Sequence, residues 1–197
     1  MLLVIDCATA ACSAALIEDA AVVAEAYEVV GRGHAERLLP MIEALLGGRR
    51  PEAILVDCGP GSFTGVRVGL AAAHGLAIGW GVPLSGFSSM ASIAAATGAE
   101  AVALHGGHGQ LFVQCFAHDP LRPLDELVSL LPDEAAAAVR VRRIAGSGAE
   151  ALVTARGEGE AVDALPRAAD ARLLPQVLRN LPPRPIYGRA PDAKPLA

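Results

Sequence analysis

The amino-acid sequence predicts an α/β protein of two successive lobes, the second a shortened repetition of the first. Three observations predict it. Short apolar runs of strand length open the chain in close succession, as in an antiparallel meander. Helically spaced segments then alternate with further runs, the pattern of parallel strands joined by crossover helices. A fresh pair of apolar runs begins near residue 101.

Leu2 to Asp6, Ser13 to Glu18 and Val22 to Val29 are read as three strands parted by short polar or small breaks. A helix follows from about Glu36 to Leu46, where Leu38, Leu39, Ile42, Leu45 and Leu46 recur at helical spacing, and Pro40 must sit in its first turn or kink it. Ala53 to Cys58 is a buried strand, and GPGSFTG leads from it into a long helix from about Thr64 to Trp80. Val82 to Ser85 makes a short strand and Ser88 to Ala96 a helix of small residues. Three strands, then helix, strand, helix, strand and helix, is the order of a ribonuclease-H-like lobe. The new start comprises strands at Ala101 to Leu104, Leu111 to Ala117 and Val139 to Ala145, with helices near Ala149 to Ala155 and Ala171 to Leu181. The boundary falls near Gly98 to Glu100, giving lobes of residues 1–99 and 100–197. Asp119 to Asp133, rich in proline and acid, reads as a loop, and Pro182 to Pro195, with five of the fourteen prolines, as a tail or docking strap.

Composition excludes several functions. With 53% hydrophobic and 19% charged residues and about a fifth alanine, the chain is globular and packed with small side chains. Lys194 is the sole lysine against fifteen arginines, so no P-loop, Schiff-base or general-base lysine stands before the tail. A net charge of −5 argues against autonomous nucleic-acid binding. No run reaches the length of a membrane span, and Met1 runs straight into Leu-Leu-Val-Ile-Asp without a basic segment or a small-residue cleavage site, so a cytoplasmic protein is expected. Cys7, Cys12, Cys58 and Cys115 form no C-x-x-C pair and are expected as buried, reduced thiols.

The strongest local signal is Gly59-Pro60-Gly61-Ser62-Phe63-Thr64-Gly65-Val66-Arg67, between a buried strand and a helix. Glycine permits a tight turn, the N–H groups of a helix N-terminus can receive an anion, and Ser62 or Thr64 can cap the helix. The spacing is neither that of a P-loop nor of a nucleophile elbow. A structural turn and an anion or partner site both stay open. Gly65, Gly69, Ala72, Ala73 and Gly79 put small residues along the helix near four-residue spacing, which suits close helix approach, inside the lobe or against a partner. Asp6-Cys7-Ala8-Thr9 followed by Ser13 lies at the first strand turn, where sugar-kinase and actin-like folds set an Asp near magnesium-bound phosphate. A capped hairpin is the plainer reading. His34, in Gly31-Arg32-Gly33-His34, stands at the first helix N-terminus and lacks a second ligand one turn on, where Leu38 stands. His105 and His108 have few acids nearby, and Gly146-Ser147-Gly148 is a tight turn beside Arg140, Arg142 and Arg143 rather than a dinucleotide fingerprint.

Together, LLVIDCATAACSAAL, GRGHAERLLPMIEALL, DCGPGSFTGVRVGLAAAHGLA, GFSSMASIA, AGSGA and RPIYGRAPDA resemble the TsaB (YeaZ) family over nearly the whole chain. The resemblance implies the fold of the actin, hexokinase and chaperone-ATPase superfamily, with two ribonuclease-H-like lobes. It further implies a non-catalytic subunit in the formation of threonylcarbamoyladenosine in tRNA, pairing with a TsaD-like catalytic subunit and helping to recruit the ATPase TsaE. No cofactor is then held tightly by this chain, ATP or ADP enters with the complex, and tRNA is met only through it. The isolated chain is a monomer or a homodimer. On this reading the partner surface lies on the first two helices, at His34, Leu38, Leu39 and Ile42 and at Gly65, Val66, Gly69, Leu70 and Ala73. Asp6, Thr9 and Ser13, with Gly59, Gly61, Ser62 and Thr64, form a vestigial phosphate-type turn. TsaD-like relatives hold a metal on H-x-x-x-H; here His34 would be the first member and Leu38 replaces the second, so no metal is expected. The chain departs from the family at Leu104 to Phe112, where an acidic-arginine turn is usual. Two other classes stay open: a self-sufficient ATP-dependent transferase of the same superfamily and a metalloprotease-like hydrolase.

Overall fold

The computed structural model describes residues 1–188. Leu2–Asp6 (β1), Ala11–Glu18 (β2) and Ala21–Val29 (β3) form the antiparallel meander, and His34–Leu46 (α1) leads to Ala53–Asp57 (β4). Phe63–Trp80 (α2) leads to Leu84–Phe87 (β5), and Ser89–Thr97 (α3) closes this half. The sheet order is β3-β2-β1-β4-β5, with β4 and β5 parallel to β1.

The second sheet repeats that plan. Ala101–His105 (β6) pairs antiparallel with Leu111–His118 (β7), and β7 with both Leu121–Pro123 (β8) and Val128–Leu130 (β9). Pro132–Ala138 (α4), Arg143–Ala145 (β10), Ala149–Arg156 (α5) and Glu160–Val162 (β11) follow. The order β11-β10-β6-β7-β8 has β6 in the place of β1 and β10 in that of β4. The stretch read as a loop from Asp119 to Asp133 thus contains two short strands and the start of α4.

Alternation along β1 separates two cores. Leu3 and Ile5 point toward α1 and α2 and pack with Leu38, Ile42, Ile54, Leu70 and Ala73. Val4 and Leu55 point the other way, into a cluster that runs through Phe87, Met90 and Ile93 to Val102, Leu104, Phe112 and Phe116 of the second sheet. The expected seam at Gly98 to Glu100 divides the sheets, yet one core spans it.

Two expectations are corrected. The helix placed at Ala171 to Leu181 is instead two 3-10 turns, Ala168–Leu173 and Gln176–Arg179. Pro175, which has no N–H and restricts the residue before it, stands between them. The second unit, expected to span 100–197, ends its sheet at Val162, and the chain then returns to the first sheet. Ala168–Leu173 packs on β1, β2, β3 and α3. Leu181 pairs with Gly86 on the β5 edge and Ile186 N–H donates to Cys58 O at 2.8 Å, so the proline-rich segment caps an edge strand. The remainder of the expected tail, 189–197 with Lys194, lies outside the described residues.

Candidate functional site

The loop between β1 and β2 and the GPGSFTG turn meet backbone to backbone. Ser62 N–H donates to Ala8 O at 2.6 Å, and Ser62 Oγ caps α2 by accepting from Gly65 N–H at 3.2 Å. A Cβ on Gly61 would lie 1.9 Å from Ala8 O, and one on Gly65 2.1 Å from Cys7 O, so both glycines are dictated by close approach. Gly59, not Gly61, takes the left-handed backbone, with φ 91. Thr64 lies exposed in the first turn of α2, and the cap is Ser62. His34 fixes the loop from the other side. It is the first residue of α1, buried, and its Nε2 reaches Thr9 O at 2.9 Å and Ala11 O at 3.3 Å. Both partners are carbonyls, so Nε2 carries the proton.

The polar residues of the expected phosphate-type turn are engaged by the chain itself. Asp6 Oδ1 accepts from Ala8 N–H at 3.2 Å, Thr9 Oγ1 from Ala11 N–H at 3.3 Å, and Ser13 Oγ from Ala168 N–H at 3.0 Å. Arg167 secures the segment that carries Ala168: its guanidinium makes two bonds of 3.0 Å to Glu25 and lies 4.4 Å from the Tyr27 ring centroid. The β1–β2 loop and the GPGSFTG turn thus set Asp6, Thr9, Ser13, Gly61 and Ser62 at one end of the first sheet. Ala168–Leu173 packs on β1, β2 and β3, and the Ala8 and Cys7 carbonyls stand against Gly61 and Gly65, while Ser62 and Thr64 stay exposed.

Asp57 escaped the sequence reading although its signal was present, since LLVID and AILVD each end an apolar run on an acid. The parallel register that pairs Ile5 with Val56 sets Asp6 beside Asp57 at the carboxyl ends of β1 and β4. Both are buried, and each keeps one oxygen, Oδ2, without a hydrogen-bond partner. Asp57 Oδ1 accepts from Ser89 N–H at 2.8 Å and Gly59 N–H at 3.0 Å. Burial pushes the Asp6 carboxyl up to about 7, with Asp170 adding repulsion. Burial and then the Asp6 charge raise Asp57 well above the carboxylate range. Adjacent carboxyls so placed hold a proton near neutrality.

The helix faces correct the expected partner surface. Gly65, Val66, Gly69, Leu70 and Ala73 face β1 and β4, and His34, Leu38 and Ile42 lie on the buried side of α1. Of the residues expected there, Leu39 alone is exposed, at 51%. The small stripe packs inside the lobe because Cys7 lies against Gly69 and the Cys7 carbonyl against Gly65. The outer side of α2 carries a different set: Phe63 at 69% and Ile78 at 82% exposure, with Ala71, His74 and Gly75 between them. The Arg67 guanidinium lies 3.1 Å from the Phe63 ring centroid and donates to Tyr187 Oη at 2.9 Å, and His74 Nε2 donates to Pro183 O at 3.1 Å. A groove of about 560 Å³ runs between the helices, lined by Leu39, Pro40, Arg49, Leu76 and Trp80 among others. Among the described residues no group of three or more His, Cys, Asp or Glu comes together to hold a metal, and no helix is long and apolar enough to cross a membrane.

Known proteins match this α/β chain in sequence and in fold. The family described as TsaD: tRNA N6-adenosine threonylcarbamoyltransferase matches residues 26–148. A tRNA threonylcarbamoyladenosine biosynthesis protein TsaB of Escherichia coli (strain K12) is 42% identical over 98 residues, 47% of this chain and 42% of that protein. The chain thus matches less than half the length of that relative. An uncharacterized protein of Mycobacterium tuberculosis (strain ATCC 25618 / H37Rv) is 32% identical over 210 aligned positions, 99% of this chain and 94% of that protein. The structure of YeaZ from Pseudomonas aeruginosa superposes with a TM-score of 0.79 at 30% identity, covering 94% of this chain and 98% of that one. The chain belongs to the TsaB (YeaZ) family.

Proposed function

We propose that this chain is a non-catalytic subunit in the formation of N6-threonylcarbamoyladenosine in tRNA. It binds a TsaD-like catalytic subunit and helps to recruit a TsaE-like ATPase. The observation that carries this reading is that the polar groups at the end of β1 are engaged internally: Ala168 N–H donates to Ser13 Oγ, and Ala168–Leu173 packs on β1, β2 and β3. A chain whose turn hydroxyl is bonded to its own backbone acts through its surface. The outer faces of α1 and α2, with Leu39, Phe63, Ile78 and the groove beside Trp80, supply the apolar area for that contact. An interface of standard size covers about 800 Å² per partner.

The name of the Escherichia coli relative supports the tRNA process, and the TsaD family match supports kinship with the proposed partner. The net charge of −5 fits a subunit that meets tRNA only within the complex, in the cytoplasm. ATP or ADP enters with the partners. Calorimetry tests the reading: titration with a TsaD-like subunit should give saturable heat, and titration with magnesium-ATP none. Tight ATP binding by the isolated chain, or no heat with the subunit, would refute it.

A further inference from the structure

We propose that Cys7 and Cys12 are a reversible oxidation site, closing a cross-strand disulfide under hydrogen peroxide. The inference does not rest on the partner assignment. The antiparallel register of β1 and β2 ends on Asp6 opposite Ser13, and Cys7 and Cys12 form the next facing pair, beside the loop. Their sulfurs are 3.8 Å apart and share a hydrogen bond. Directly opposed residues in an antiparallel pair hold their Cβ atoms roughly 4.5–5.5 Å apart, close to the separation a disulfide spans. Closure therefore asks for side-chain rotation and a small approach of the strands.

The other cysteines are placed differently. Cys58 Sγ is directed at the Val56 and Pro182 carbonyls, and Cys115 sits half-buried on β7 beside Asp125. The shared hydrogen bond also divides the pair chemically. It pushes the Cys7 thiol up, together with burial and the nearby Asp6 and Asp57, and holds Cys12 below the ordinary thiol value. Cys12 is thus the sulfur poised to react, and Cys7, 3.8 Å away, is the one within reach to resolve it. Both are buried, but Thr9 and Ala10 at the loop tip are partly exposed, and peroxide, little larger than water, reaches the pair when that loop opens.

Oxidation proceeds in two steps. The Cys12 thiolate attacks one peroxide oxygen, the O–O bond breaks, and after protonation Cys12 sulfenic acid and one water result. Cys7 sulfur then attacks the Cys12 sulfur, the S–O bond breaks, and the hydroxyl leaves as a second water with the Cys7 proton. Two thiols are oxidised by two electrons and one peroxide is reduced to two waters. The bond links the loop that abuts α2, since Cys7 packs against Gly69 and its carbonyl against Gly65.

The test treats folded protein with hydrogen peroxide, quenches in acid, unfolds it, labels free thiols with N-ethylmaleimide and maps the peptides by mass spectrometry. Cys7 and Cys12 should escape the label in a peptide lighter by two hydrogens, Cys58 should take it, and dithiothreitol should restore labelling. The oxidised protein should melt about 5 °C higher than the reduced one, as closure of a short loop predicts, and neither Cys12→Ala nor Cys7→Ala should show the rise. Labelling of both cysteines after Cys115 has been oxidised would overturn the proposal. So would a linkage that forms only in urea, or an irreversible sulfinic acid at Cys12.

Discussion

Replacing Asp6 by asparagine should stabilise the protein at alkaline pH and leave it unchanged near pH 4. The folded protein raises the Asp6 carboxyl from 3.8 to about 7 because its Oδ2 is buried without a partner. A carboxyl raised on folding binds more protons folded than unfolded. Its contribution is complete below the unfolded value and is lost as pH rises through the folded one. At 1.36 kcal/mol per pKa unit, the loss between about pH 5 and pH 8 is about 3 kcal/mol. Asp57 shifts in the same direction and adds to it. Asparagine keeps the shape and the acceptor for Ala8 N–H but cannot ionise. Urea unfolding followed by the fluorescence of Trp80, the sole tryptophan, should show the two proteins diverging as pH rises. A constant difference between them, or a wild-type protein that gains stability from pH 5 to pH 8 against the variant, would refute the reasoning.

Three other outcomes follow from local geometry. Gly65→Val places a side chain into the Cys7 carbonyl and should cost about 3 kcal/mol in urea unfolding. Gly75→Ala, where a Cβ meets nothing within 4 Å, should instead raise stability by about 0.5–1 kcal/mol in the same assay. His34→Ala leaves Thr9 O and Ala11 O without their ring partner and should lower stability by about 1–3 kcal/mol, with faster amide exchange in the β1–β2 loop.

Much of the first half was legible because its strands are plain apolar runs and its helices are bounded by glycine. Leu2 to Asp6 matches β1, and the spacing of Leu38, Ile42, Leu45 and Leu46 gives the buried face of α1. The long helix was legible as a helix but not as a face. Phe63–Trp80 is small or apolar nearly all round, so periodicity does not say that Gly69 lies inward and Ile78 outward. Leu121–Pro123 and Val128–Leu130 are too short, and too close to Pro120, Pro123 and several acids, to stand out as strands. The pairing of Asp6 with Asp57 and of Cys7 with Cys12 depends on register, which hydrophobic pattern does not supply across separate strands. Ser13 was singled out for the turn, but the backbone that reaches its hydroxyl comes from residue 168, a contact no local pattern encodes.

On the proposed function, the chain acts through the outer faces of its first helices and not through the turn of Asp6 and Ser13. Reconstituted threonylcarbamoyladenosine formation, with TsaD-like and TsaE-like subunits and tRNA, tests it with two variants, each shown to be folded at the assay temperature. Asp6→Asn alters the turn, and Ile78→Arg alters an 82% exposed position on α2. Asp6→Asn should support modification at the wild-type level, while Ile78→Arg should weaken subunit binding and modification by tenfold or more, about 1.4 kcal/mol. Loss of modification in Asp6→Asn with intact subunit binding, beside an unaffected Ile78→Arg, would contradict it.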